Sequence, residues 1–135
     1  IEENLMPKVN RYEDISQIDK EAKRDYIDRH SPFVKCAESA TKGVAFPVTV
    51  RMGNEYAHPD DNNHYIRNIQ LFNGQTLLSE ASFPPGTLGG EGAKGNAEVT
   101  FNIVPSGKKL ALTAMSYCTK HGLWESDPVV VVVTE

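Results

Sequence analysis

The chain has 135 residues, of which 39% are hydrophobic and 24% charged, a size and balance suited to one domain with its own buried core. A net charge of −4 and a pI near 5.6 exclude a general attraction to nucleic acid or to an anionic membrane, so any anion must be drawn by a local patch. No apolar run reaches the ~18 residues of a membrane span, and two cysteines, Cys36 and Cys118, are too few for a disulfide scaffold.

Residues 1–12 carry no clear period and read as a loose arm. Ile15, Ile18, Ala22 and Tyr26 then recur at three- and four-residue steps with charges between them. That pattern predicts a short amphipathic helix capped by Asp14 or Ser16 and running to about Tyr26, with Pro32 stopping anything beyond. Residues 1–29 are thus expected to form an arm and helix, and residues 30–135 a β-sandwich, within a single domain over 1–135.

Strand alternation follows at 48–52, 65–71 and 97–103, then at 110–115 and in the valine run 129–133. Asn73-Gly74 is a tight-hairpin signal that pairs 64–72 with 75–83, and Ser106-Gly107 marks another turn. The glycine- and proline-rich stretch 84–95, PPGTLGGEGAKG, reads as a long mobile loop between strands of one sheet structure. About seven short strands behind one helix predict an all-β fold, an immunoglobulin-like antiparallel β-sandwich.

The four histidines stand in short motifs. His30 lies in DRHSP, just after the predicted helix; His58 and His64 bracket a polar loop in AHPDDNNHYI; His121 follows Cys118 by three in YCTKHGLWE. A sandwich gathers its loops at two ends, and loops on a rigid scaffold carry sites. If the 58–64 loop and the 118–121 turn share an end, four ligands converge and His30 can supply a fifth. Imidazole suits iron, copper, zinc and nickel, and one thiolate adds a soft donor.

Taken singly, each residue has a plainer account. A histidine is most often a surface or hydrogen-bonded residue, and Cys118 alone reads as a buried inert thiol. Asp60, Asp61, Asn62 and Asn63 lack the glycine and terminal glutamate of a calcium loop and read as a solvated turn. Trp124 and the other aromatics read as core or interface. The two cysteines stay open between a disulfide, two free thiols, and one ligand with one bystander.

Together, DRHSP, HPDDNNHYI and CTKHGLWE resemble the motifs E-K-H-x-P, H-P-x4-H-Y-I and C-x-x-H-G-L-W of the superoxide reductase family, the neelaredoxins and desulfoferrodoxins. The order is the same, and the resemblance spans roughly residues 26–134. It implies an immunoglobulin-like sandwich holding one non-haem iron per chain, Fe(2+)/Fe(3+), in the family's one-iron form. His30, His58, His64 and His121 would be the imidazole ligands, and Cys118 the axial thiolate opposite a position left open for substrate. The activity implied is one-electron reduction of superoxide to hydrogen peroxide. The partners implied are superoxide, an electron-donor protein such as rubredoxin, and further copies of the chain in a dimer or tetramer.

Asp28 stands where the family has a glutamate that can take the sixth position of oxidised iron, and it is one methylene shorter. Arg29 stands where the family has a lysine that aids substrate attraction; it keeps the charge on a broader, planar group. Arg29 and Lys120 are the expected local guides for the anion, with amides of the Cys118 turn tuning the sulfur. Asp60 replaces a frequent methionine, and Asn68 a common tryptophan. Competing expectations are an iron-binding redox sensor or electron-transfer protein with little turnover, a copper protein for which Met115 is poorly placed, and a metal-free sandwich with a Cys36–Cys118 disulfide. The cytoplasm is the expected compartment, with the periplasm open because the sequence starts at Ile1 instead of a methionine.

Overall fold

A computed structural model describes residues 24–92 and 95–135. One helix, α1 (Arg24–His30), precedes nine strands among the described residues: β1 (Pro32–Lys35), β2 (Ser39–Thr41), β3 (Phe46–Met52), β4 (Ile66–Asn73), β5 (Thr76–Ser82), β6 (Glu98–Ile103), β7 (Lys109–Cys118), β8 (Gly122–Glu125) and β9 (Val129–Thr134). Strands β1-β3-β6 form one sheet; β2-β9-β7-β4-β5 form the other, with β8 also paired to β7.

The two sheets face each other because their strands alternate. In β7, Leu110, Leu112, Ala114, Ser116 and Cys118 are buried while the residues between them are not. Val48, Val50 and Met52 of β3 and Ile69 and Leu71 of β4 are fully buried, and they join Phe101, Ile103 and Val131 in one core. Burying each such side chain stabilises the fold by about 1.5–3 kcal/mol. In β4 the alternation breaks between Ile66 and Asn68, where the register against β7 shifts. Arg67 is the extra residue of a bulge, so Ile66 and Ile69 both point inward.

The predicted hairpin is present, with β4 and β5 antiparallel from Asn73↔Thr76 outward. Three strands lacked a sequence signal. β1 opens on Pro32, which is tolerated at the first residue of an edge strand; β2 has only 3 residues; β8 begins on Gly122 inside a motif read for its chemistry. β2 runs parallel to β9, so the sandwich is not antiparallel throughout.

The helix differs from its predicted span. Asp14, Ser16, Ile15, Ile18 and Ala22 lie outside the described residues, and the described part runs past Tyr26 to His30. His30 is therefore the last helical residue and not the first beyond the helix. Side chains extend the turn: His30 Nδ1–H donates to the Tyr26 carbonyl at 2.7 Å and Ser31 Oγ–H to that of Ile27 at 2.6 Å. Pro32 then ends it.

Candidate metal centre

The loop before His58 pins the C-terminal end of helix α1. The Asp28 carboxylate accepts the N–H groups of Asn54, Glu55 and Tyr56 at 2.9–3.2 Å, three consecutive amides forming an anion-binding nest. Gly53 N–H donates to the Ser31 carbonyl at 2.9 Å. Gly53 has φ +80°, and a Cβ there would lie 2.4 Å from the Tyr56 oxygen and 3.3 Å from Arg29 Cα, so only glycine lets this loop lie against the helix end. The pinned helix delivers His30, fully buried, with its Nδ1–H on Tyr26, which leaves Nε2 as the acceptor nitrogen of the ring.

The second segment follows the same rule. His58 is buried, its Nδ1–H donates to the Pro59 carbonyl at 2.7 Å, and its Nε2 faces Cys118 Sγ at 3.3 Å. Asp61 and His64 exchange backbone hydrogen bonds of 3.0 Å, closing the turn that presents His64. Tyr65 N–H donates to Thr119 Oγ1 at 3.1 Å and Thr119 N–H to the Tyr65 carbonyl at 3.0 Å, which ties this loop to the β7–β8 turn. His64 Nε2 is buried with no hydrogen-bond partner.

The β7–β8 hairpin supplies the rest. Cys118 pairs with Gly122 across it, and His121 sits in the turn. His121 N–H donates to Cys118 Sγ at 3.3 Å, while His121 Nδ1 lies 3.1 Å from His30 Nε2 and 3.8 Å from the sulfur. Trp124, buried on β8, donates Nε1–H to the His121 carbonyl at 3.1 Å and stacks on the His30 ring at 5.0 Å.

The four rings form a square. His30–His58, His58–His64, His64–His121 and His121–His30 are edge-to-face neighbours with centroids 4.7–4.8 Å apart. His30 and His64 face each other at 6.0 Å. Donor atoms of His30, His58, His64 and Cys118 all lie within 4.8 Å of one another. Metal–nitrogen bonds of about 2.1 Å and a metal–sulfur bond of about 2.3 Å at right angles put neighbouring donors about 3 Å apart. The 3.1 Å and 3.3 Å contacts fit that spacing.

Burial dominates the electrostatics. It lowers His30 to about 3 and His58 and His64 to about 4, helped by the neighbouring rings, so all three are neutral near pH 7. Burial pushes the Cys118 thiol up, opposed by the Lys120 and His121 amides and by the Lys120 charge. The Nε2 lone pairs of His30 and His58 thus converge with the Cys118 sulfur and the orphaned Nε2 of His64, a donor set that a cation can satisfy.

The five expected ligands come together. Arg29, 31% exposed and 3.4 Å from Asp25, is close enough for its charge to bear on His58 and His64. Lys120 is exposed, and its charge bears on His64 and Cys118. Asp28 directs its carboxylate at the 54–56 amides. The solvated-turn expectation fails at Asp60, which is 3% exposed with its carboxylate bonded to Leu88 and Gly90, although Asn62 and Asn63 are exposed. Both cysteines are free, which removes the disulfide; Cys36 packs against the core as a bystander. Met115 is on the opposite face of β7 from Cys118, which removes the copper arrangement. The supports given by Tyr26, Thr119 and Trp124 went unseen. Thr119 and Trp124 stand inside the YCTKHGLWE motif and Tyr26 on the predicted helix, but none of them carries a signal for the contact it makes.

The desulfoferrodoxin family profile matches residues 18–127. The chain is 34% identical over 116 residues to the neelaredoxin of Megalodesulfovibrio gigas, covering 78% of this chain and 88% of that protein. It is 29% identical over 110 residues to the superoxide reductase of Pyrococcus furiosus, covering 74% and 86%. The structure of superoxide reductase (neelaredoxin) from Ignicoccus hospitalis superposes with a TM-score of 0.57 at 29% identity, covering 77% of this chain and 80% of that one.

Proposed function

The chain belongs to the desulfoferrodoxin family, and we propose from that membership that it reduces superoxide by one electron, with two protons, to hydrogen peroxide. His30, His58, His64, His121 and Cys118 would hold one iron, which supplies the electron by passing from its ferrous to its ferric state. The observation that carries this reading is the convergence of four imidazoles, two of them with Nε2 fixed as a lone pair, on one buried sulfur. Carbonyls of Tyr26 and Pro59 fix the tautomers that make His30 and His58 donors through Nε2.

Arg29 and Lys120 place positive charge beside this cluster on a chain whose net charge is −4, and they draw the anionic substrate in. Arg29 cannot supply the protons, because a guanidinium does not deprotonate near neutrality; water does. Asp28 serves by holding the loop that delivers His58 against the helix that delivers His30. An electron-donor protein such as rubredoxin restores the reduced centre. Val130 and Val132, each 55% exposed on the outer face of β9, suit a contact with a second copy in a dimer or tetramer, each copy one domain over 1–135.

Metal analysis with a visible spectrum of the oxidised protein tests the centre. One iron per chain, with a thiolate-to-iron absorption band that disappears in Cys118→Ser, is expected. Zinc, or no metal after anaerobic preparation, overturns it. Second-order consumption of superoxide by the ferrous protein tests the activity, and a ferrous centre that ignores superoxide leaves an iron-binding redox protein instead.

A further inference from the structure

Asp60 is a buried carboxylate between two of the proposed iron-binding histidines. A buried charge is costly unless it is hydrogen-bonded, and its Oδ2 accepts Leu88 N–H at 2.9 Å and Gly90 N–H at 3.0 Å. Both donors come from the turn region after β5. Gly89 and Gly90 have φ of 115° and 82° there, a backbone path closed to most side chains that lets two amides point at one oxygen. Leu88 itself packs against the core, so the loop is seated by an apolar contact and by the carboxylate together.

The other side of Asp60 meets the centre. The peptide that joins it to Pro59 carries the carbonyl that receives His58 Nδ1–H at 2.7 Å. Fixing Asp60 to the 88–90 amides therefore fixes the position of that carbonyl, and with it the ring whose Nε2 lies 3.3 Å from Cys118 Sγ. We propose that Asp60 is a positioning residue of the metal centre: it clasps the 84–92 loop to the 58–64 loop and thereby holds the Pro59 carbonyl on His58. The clasp needs an oxygen acceptor and not a charge, because one oxygen accepts both amides.

This inference rests on the iron-site reading, and the test separates the two. Iron-loaded wild type, Asp60→Ala and Asp60→Asn are challenged with a ferrous chelator, and the absorption band of each oxidised protein is recorded. Asp60→Ala should release iron about tenfold or more faster and shift the band; Asp60→Asn, whose amide oxygen can accept the same N–H groups, should restore both. Iron release from Asp60→Ala at the wild-type rate overturns the clasp, as does an Asp60→Asn variant as impaired as Asp60→Ala. If Asp60→Ala does not fold, hydrogen exchange of the wild-type 84–92 segment decides: iron loading should slow it, by the reciprocity of coupled sites, and equal exchange with and without iron overturns the proposal. Wild type that binds no iron overturns the site reading itself, and the inference with it.

Discussion

His30 and His64 lie face to face across the centre, their rings 6.0 Å apart and 21° from parallel, with His58 and His121 edge-on between them. Helix α1 supplies one ring of the facing pair and the loop before β4 the other. The opposition holds only while the helix end, the 58–64 loop and the β7–β8 hairpin keep their places. The contacts that keep them there can each be tested.

Stability of the metal-free protein should depend on acid. Burial holds His30 at about 3 and His58 and His64 at about 4, against 6.5 for the free side chain. Below pH 6.5 the unfolded chain takes up protons that the folded chain refuses, so stability is full above 6.5 and falls as pH drops toward 4 and then 3. His30 and His58 should each remove about 1.4 kcal/mol per pH unit within that window; His64, more exposed, removes less because solvent screens it. Urea midpoints of metal-free protein at pH 7.5 and pH 5 check this, and equal midpoints would contradict it.

Trp124→Phe keeps an aromatic ring beside His30 but loses the Nε1–H bond to the His121 carbonyl. Iron affinity should fall about tenfold and stability by about 1–2 kcal/mol. Iron dissociation and urea unfolding read the two effects separately. Unchanged dissociation would show that the His121 turn needs no such support.

Asp28→Ala strips three consecutive amides of their acceptor. A loss of about 1–3 kcal/mol is expected, with hydrogen exchange accelerated at Asn54, Glu55 and Tyr56 ahead of the rest of the fold. Asp28→Asn should lose less, since it retains one oxygen. Exchange at those amides identical to wild type would remove the anchoring role.

Arg29→Ala and Lys120→Ala should each slow the encounter of the ferrous protein with superoxide several-fold at low ionic strength, and their rates should approach that of the parent in high salt. Rapid-mixing or radiolytic generation of superoxide across a salt series measures it. A rate equal to the parent at the lowest salt would count against steering.

How much the sequence disclosed follows from distance along the chain. Cys118 and His121 are legible because a hairpin turn must bring them together, and the alternation of β7 says which face the sulfur takes. The roles of Asp28 and Asp60 are not legible, because their amide partners come from separate loops about as far along the chain as a helix-to-strand crossover and carry no side-chain signature. A backbone N–H looks the same on every residue. The helix runs beyond its predicted end because the Tyr26 and Ile27 carbonyls take donors from His30 and Ser31, side chains that propensity counts as unfavourable.

His30 Nε2 and His121 Nδ1 are 3.1 Å apart in space and 91 positions apart in sequence. Loop closure over that span carries an entropy cost that local contacts do not. An ion held by the proposed donor set would staple the first described element to the β7–β8 hairpin and offset part of that cost. A chain without the β7–β8 hairpin would keep three of the five proposed donors and lose Cys118 and His121 together.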